Sequence, residues 1–527
     1  MKRFFLWSMA ALALFVLSFL GLNLFDTAPA PEAPAVPLAL ELEPGNGFLL
    51  LWGFAEPPQS DPLSSPYRAQ LRELFAGRPR SPLLRSPYSQ WLARLNDGFR
   101  RYWHSTAFHF PQQAGEDVCA YVASRSTEIR ERQVRLAVPL RRYRRILRAA
   151  DLADFTPPGW ELPGRCSLLA NQAARLFAAS QALAATEGQW LPAIGELLAA
   201  MDAGFRLVGC GRSMAVNSLG KTMVELSLRT LASLLDRGDC PPEAARLAAD
   251  RLPERPAAAF GTAAAREFAL RSFALALERI KSDRAVDPFL LKDAFRNPAG
   301  LFALERFVAI SVPRFYTAAH ALAAFFVKEN ETLAMMRAFW QRIGVLEEVP
   351  PWKWGKEPPG PPRSPAVASG PVWRGANGPV WRGTNGPVWR GTDGPVWRGT
   401  DGPFWWLRNP LGKMMVRSAV PYAWPILQHY VYRSHELRAR YELTRLLARA
   451  RLRAGPGMTL SREALRELLD AARERDPFSG KPYLFNPDSG MLYSVGQDGL
   501  DNKGREQPAS WRDSDIAVPI GFVIRDS

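Results

Sequence analysis

Phe4 to Phe25, FFLWSMAALALFVLSFLGLNLF, is a run of 22 residues without a charge, preceded by Lys2 and Arg3. A helix of that length, rising 1.5 Å per residue, covers roughly the 30 Å hydrocarbon thickness of a bilayer. No other feature constrains the chain as strongly, because in lipid only a helix or a closed barrel satisfies its own backbone polar groups. The apolar part of a cleaved leader is usually about 7–15 residues long. The run therefore reads as a signal-anchor helix over residues 1–26, with Ala-Pro-Ala at 28–30 keeping a cleaved leader as the alternative. A basic flank stays on the cytoplasmic side. The expectation is a single-pass protein of the cell inner membrane, lipid around its N-terminal helix, the C-terminal bulk in the periplasm. Val308 to Val327 is interrupted by Pro313 and Arg314 and reads as a buried helix instead.

Hydrophobic residues make up 47% of the chain and charged residues 22%, a globular balance that excludes intrinsic disorder as the general state. The formal net charge is +16, carried mostly by arginine. Such a surface suits anionic lipid head groups or nucleic acid, and it equally follows from an Ala-, Arg-, Leu- and Pro-rich composition. Outside the cytoplasm nucleic acid is not the expected partner. The four cysteines, Cys119, Cys166, Cys210 and Cys240, allow up to two disulfides in three connectivities. Cys210 with Cys240 is the least favoured, since a continuous helix between them would hold them about 45 Å apart. No spacing matches a zinc site.

Residues 27–37 form a Pro-Ala linker, stiff and extended. Residues 38–349 read as a helical domain that opens with the short mixed segment LALELEPGNGFLLLWGF. From Ser86 the pattern is helical: Trp91, Leu92, Leu95 and Phe99 recur at three-to-four spacing. Asp117 to Asp154 reads as one very basic helix in which RRYRRILRAA rings Ile146 and Leu147 with arginines. Arg165 to Glu187 follows, then Trp190 to Asp236 as two helices broken near Gly209 and Gly211. Pro241 to Leu252, Pro256 to Lys281 and Pro298 to Ile343 complete the body. Residues 350–408 are a Pro-rich loop. Residues 409–475 return to helix, interrupted at Pro421 and Pro425, with a further helix from Thr459 to Arg473 capped by Thr459 or Ser461. Residues 476–527 change character. Tyr483–Phe485 and Met491–Val495, separated by Asn-Pro-Asp-Ser-Gly, predict a β-hairpin, and Asp515 to Val523 a third strand. The fold class is mainly α, a membrane-anchored helical array with a small C-terminal β-hairpin module.

Within the loop, Gly370 to Asp401 is four near-identical octapeptides of the form GPVWRGxx, fading into GPFWW. Trp and Arg in a row can stack on sugars or aromatic partners with added avidity. Near-identity points instead to tandem duplication. Removing the four units leaves a seamless join, and lengthening an exposed loop costs little. The repeats read as a copied loop.

Few patterns carry chemistry. AVNSLGKT, Ala215 to Thr222, fits a relaxed phosphate-loop pattern, but no strand leads into it and the helical period runs through it. Gly220 is expected as a close-packing point. NPLGKMMV from Asn409 echoes it. Of the histidines His104, His109, His320, His429 and His435, none has metal-ligand spacing, and His320 reads as a core residue. Glu347 and Glu348 read as a solvated turn. Asp498, Asp501, Asn502, Asp513 and Asp515 cluster in turn-rich sequence, where hard oxygen ligands suit Ca²⁺. Ordinary exposed Asp-Gly turns are the competing reading.

DPFSGKPYLFNPDSGMLYSVGQDG followed by DSDI resembles the tail of type II secretion major pseudopilins, over about forty residues. The resemblance implies calcium on the turn and on the late aspartate, here Asp498 and Asp515. It departs at DPFSGKPY, one residue longer before its Gly, at Phe4–Phe25, which lacks the glutamate that follows the processed leader in the pseudopilin helix, and in the large helical body, which is foreign to pseudopilins. The whole chain resembles a group of proteobacterial envelope proteins with no known activity. They share the anchor, a Leu-Gly-Lys-x-Met-Val-like stretch (Leu219 to Val224), an Asn-Pro-x-Gly-Lys segment (Asn409 to Lys413) and the Asp-Pro-Phe-x-Gly-Lys-Pro tail. The expected function is a non-enzymatic envelope component that binds or scaffolds a protein partner. The alternatives are an envelope hydrolase without a recognisable motif and a pseudopilin-like secretion accessory.

Overall fold

A computed structural model describes residues 45–76, 87–103, 108–111, 117–157, 164–282, 328–354, 409–455, 459–505, 515–521 and 523–525. The apolar run Phe4–Phe25, residues 27–37, Val308–Val327 and the octapeptides lie outside the described residues. Among those described, no helix is long and apolar enough to cross a membrane. The helices are α1 (Phe48–Trp52), α2 (Ser65–Ala76), α3 (Pro87–Trp103), α4 (Val118–Ser124), α5 (Ser126–Arg135), α6 (Ala137–Arg148) and α7 (Gly164–Thr186). They continue as α8 (Trp190–Cys210), α9 (Met214–Asp236), α10 (Pro242–Arg251), α11 (Ala263–Ser282), α12 (Glu329–Glu348), α13 (Pro410–Ala454) and α14 (Arg462–Ala471). The strands are β1 (Thr459–Ser461), β2 (Leu484–Asn486), β3 (Met491–Ser494), β4 (Ile516–Pro519) and β5 (Val523–Arg525). The chain is mainly helical with a small sheet, as expected.

Two compact units are distinguished, and the division falls inside α11, α12 and α13. One unit contains the described residues 269–282, 328–343, 354 and 409–429. Its organiser is Asn409, which sits at φ 52, a left-handed geometry that Asn tolerates better than most residues. Its Oδ1 accepts from the Lys328 amide at 2.9 Å, and its Nδ2 donates to Thr332 Oγ1 at 3.0 Å. The Asn-Pro-Leu-Gly-Lys segment is thus the start of α13 held against the start of α12. Further along these helices, Phe339 and Trp424 pack with ring centroids 6.4 Å apart.

The other unit contains the remaining described residues. Its centre is α7, α8 and α9. Alanines 170, 173, 174, 178, 179, 182 and 185 make α7 slim enough to pack closely on its neighbours, and all seven are buried. The break expected near the glycines falls between Cys210 and Met214, where Ser213 caps α9 by accepting from the Val216 amide at 3.2 Å. α1, FLLLW, is buried throughout; Trp52 stacks on Trp91 at 5.6 Å and meets Phe75 edge-on at 5.0 Å. All four cysteines are free thiols, three of them buried, so none of the disulfides that the sequence allows is formed. Burial pushes the Cys166 thiol up to about 12.

Three sequence expectations need correction. Asp117 to Asp154 is three helices, because the backbone turns at Arg125 (φ -119) and Leu136 (φ -100) to keep Ile129, Leu140 and Ile146 all facing inward. α13 continues through Pro421 and Pro425, although each proline removes an amide donor and crowds the carbonyl four residues back. Thr459–Ser461 is a strand, and Ser461 alone caps α14, accepting from the Ala464 amide at 3.1 Å.

The tail forms more than a hairpin. β2 and β3 pair antiparallel with Leu484 opposite Tyr493 and Asn486 opposite Met491, and β4 adds to the other edge of β3. Asn486 Oδ1 accepts from the Asp488 amide at 3.0 Å, the Asx turn that Asn-Pro-Asp-Ser-Gly encodes. β1 pairs in parallel with β5. Asp476 holds the DPFSGKPY segment to this sheet, accepting from the Phe478 amide at 3.0 Å, Ser479 Oγ at 2.7 Å and Ser494 Oγ at 2.7 Å.

Candidate metal centre

The predicted calcium residues fall on the loop that leaves β3 and returns into β4. Asp498 Oδ1 accepts from the Leu500 amide at 3.0 Å, and its Oδ2 accepts from Asn502 Nδ2 at 3.2 Å. Asp501 Oδ1 accepts from Tyr493 Oη at 2.8 Å and from the Lys503 amide at 2.9 Å. Lys503 (φ 58) and Gly504 (φ 77) are both left-handed, and this sharp turn points the Gly504 amide at Asp515 Oδ2, 2.8 Å away. Asp513 lies outside the described residues.

Asp515 differs from the others. It is 1% exposed, and its Oδ1 has no hydrogen-bond donor. An ionised carboxylate in that position loses water without full compensation. Burial, and then the charges of Asp498 and Asp501, push its carboxyl up to about 7 against the pull of the Gly504 and Asn502 amides. The loop therefore brings Asp498 and Asp501 within electrostatic range of Asp515. It does not close them into a cage: among the described residues, no three His, Cys, Asp or Glu side chains converge on a metal position. The donor set nevertheless suits a hard cation, with one buried oxygen lacking a donor and two neighbouring carboxylates.

The phosphate-loop pattern resolves as helix interior. Ala215 to Thr222 lies within α9, and the Lys221 side chain is buried, donating from Nζ to Ser434 Oγ at 2.7 Å. Burial pulls its ammonium down to about 8, opposed chiefly by Glu347. Lys beside Ser is a pairing used in some hydrolases. Here Ser434 donates to Tyr430 O at 3.0 Å, and both side chains are enclosed, which makes the pair a tether between α9 and α13. Glu347 corrects the sequence reading. It lies in the last turn of α12, is 3% exposed, accepts from the Thr262 amide at 3.0 Å and pairs with Arg266 at 3.4 Å. His435 is buried, with Nε2 2.8 Å from Leu346 O, and burial pulls its pKa down to about 4. Its neutral ring is a core residue.

No known protein family, curated protein or solved structure matches the chain.

Proposed function

We propose that this chain is a membrane-anchored envelope component that works by binding a protein partner rather than by catalysis, with a C-terminal β-module held together by calcium. The observation that carries the calcium reading is Asp515 Oδ1, buried and without a donor beside Asp498 and Asp501. Asp515 would be the central ligand, and Asp498 and Asp501 would add charge and oxygen. The ion would supply structural cross-linking between β3, its following loop and β4. The apolar run at Phe4–Phe25 with its basic flank supports the anchored placement. The binding role is supported by the buried ionisable groups acting as ties between elements, as Lys221 to Ser434 and Glu347 to Arg266 do.

The test is thermal melting of the full chain in a non-ionic detergent, with millimolar calcium and with chelator. The expected result is a higher Tm with calcium, by the linkage of binding to folding, and loss of that shift in Asp515→Asn. An unchanged Tm across the calcium series sinks the calcium reading.

A further inference from the structure

α6 carries Arg141, Arg144, Arg145 and Arg148 at steps of three, four and seven, a spacing that puts all four on one helical face. The opposite face buries Leu140, Tyr143, Ile146 and Leu147. All four arginines are exposed, and they line one wall of a cavity of about 590 Å³ with the backbone of Gly45 and Gly47 among its other walls. Among the described residues, no acidic side chain lines it. Arg145 pairs with Asp61 at 3.1 Å and Arg148 with Glu196 at 2.9 Å, both exposed pairs of the weak, screened kind. Arg141 and Arg144 have no ion-pair or hydrogen-bond partner among the described residues.

The fold of α6 accounts for Arg145 and Arg148, which lie in its last turn where cations suit the helix dipole, but not for Arg141 and Arg144. Like charges three and four apart on a helix repel. The carbonyls at the end of α6 already have a donor, since Arg206 reaches Leu147 O at 3.2 Å and Ala149 O at 2.6 Å. The buried arginine of the same helix, Arg142, faces away and is fully used, donating to the carbonyls of Phe54, Glu56, Pro57 and Ser60. What the row does supply is four planar guanidinium forks along a cleft, the geometry that matches tetrahedral oxyanions with paired hydrogen bonds.

We propose that the cavity between α6 and the Gly45–Gly47 segment binds a phosphate-bearing ligand, Arg141 and Arg144 being its principal contacts. A soluble diphosphate or polyphosphate and the head group of a phospholipid share that chemistry. Arg145 and Arg148 exchange their surface partners for the ligand.

The experiment is isothermal titration of the full chain in a non-ionic detergent with two probes, inorganic pyrophosphate and a short-chain phosphatidic acid below its micelle concentration. The variants are Arg141→Gln/Arg144→Gln and, as a charge control, Arg130→Gln, which lies on α5 outside the cavity. The expected result is binding of at least one probe, weakened tenfold or more in the double variant and little changed in the control. Binding of pyrophosphate alone identifies a soluble ligand, and binding of phosphatidic acid alone a lipid head group. Both binding shows that the phosphate itself is recognised. Two results overturn the proposal: neither probe binds, or the double variant binds as tightly as the parent with its helical circular dichroism intact.

Discussion

Gly204 on α8 and Gly220 on α9 face each other so closely that a Cβ on either would stand 2.8 or 2.7 Å from the other's carbonyl oxygen. Two helices approach that closely only where neither carries a side chain. The crossing also explains the Gly-Lys pair of the phosphate-loop pattern. Gly220 serves packing, and Lys221, one residue on, reaches Ser434. Gly220→Ala is therefore expected to destabilise the fold by about 1–3 kcal/mol, the usual penalty for overpacking. Urea unfolding read by circular dichroism checks it. An alanine tolerated without loss would mean that the helices separate freely.

Lys221 gives a pH prediction with a definite sign. Its folded pKa, about 8, lies below the ordinary lysine value of 10.5. Below pH 8 the group is charged in both states, and its burial penalty is fully present. Between 8 and 10.5 the unfolded chain holds a proton that the native chain has shed, so stability contributed by this group rises with pH. Lys221→Met removes the group and its titration. The stability difference between parent and variant should shift in the parent's favour by on the order of 2 kcal/mol between pH 7 and about pH 9.5. Parallel urea curves for the two proteins across that range would show the idea to be wrong.

The elements that could be read from sequence are those whose signal is local. The break near Gly209 and Gly211 and the cap at Ser461 need only a few neighbouring residues. The hairpin at Asn486 is similar, its turn built from its own side chain. Most of the missed features depend on distant chain. The turn at Arg125 contains neither Gly nor Pro and follows from packing, whereas the break at Leu136 did have a local signal, since Pro139 in the first turn of α6 has no amide to donate to Arg135 O. The β1–β5 pairing joins Thr459 to Val523 through strands too short to show a period. Glu347 looked solvated because Thr262 and Arg266, which bury it, lie more than eighty residues earlier. For the loop between β3 and β4 the aspartates were visible in the sequence. That Asp515 alone would be buried with an oxygen lacking a donor was not, since its cover is built by the Gly504 turn and the sheet. The arginines of α6 were equally visible, while the cavity beside them required Gly45 and Gly47 to be folded against that helix.

Arg142 is expected to be among the least replaceable side chains in the chain. It is 4% exposed, and its guanidinium satisfies four carbonyls between Phe54 and Ser60, at 2.6 to 3.0 Å. A lysine ammonium has three donors and no planar fork. Arg142→Lys should cost about 2 kcal/mol or more and Arg142→Met more still, because each carbonyl left without a donor retains its desolvation penalty. Chemical denaturation of the three proteins ranks them. Equal stability of parent and Arg142→Met would show that water replaces the guanidinium.

The attachment of the tail makes the last test. Tyr483 donates its hydroxyl hydrogen to Glu442 Oε2 at 2.6 Å, and Arg438 Nε donates to Oε1 at 2.8 Å. Burial raises the Glu442 carboxyl above its ordinary value, while Arg438 and the tyrosine hydroxyl oppose that rise. Tyr483→Phe keeps the ring and removes one of the two groups that hold the carboxylate ionised. Two effects should follow together. Stability near neutral pH should fall by about 1–2 kcal/mol, the cost of a buried charged acceptor losing a donor. The Glu442 pKa should also rise further, so that more of the lost stability is recovered on acidification, when the carboxyl is neutral and no longer needs the donor. Tyr483→Phe in a Glu442→Gln background separates this link from simple packing. If the phenylalanine costs the same in both backgrounds and at both pH values, the hydroxyl plays no part in docking β2 onto α13.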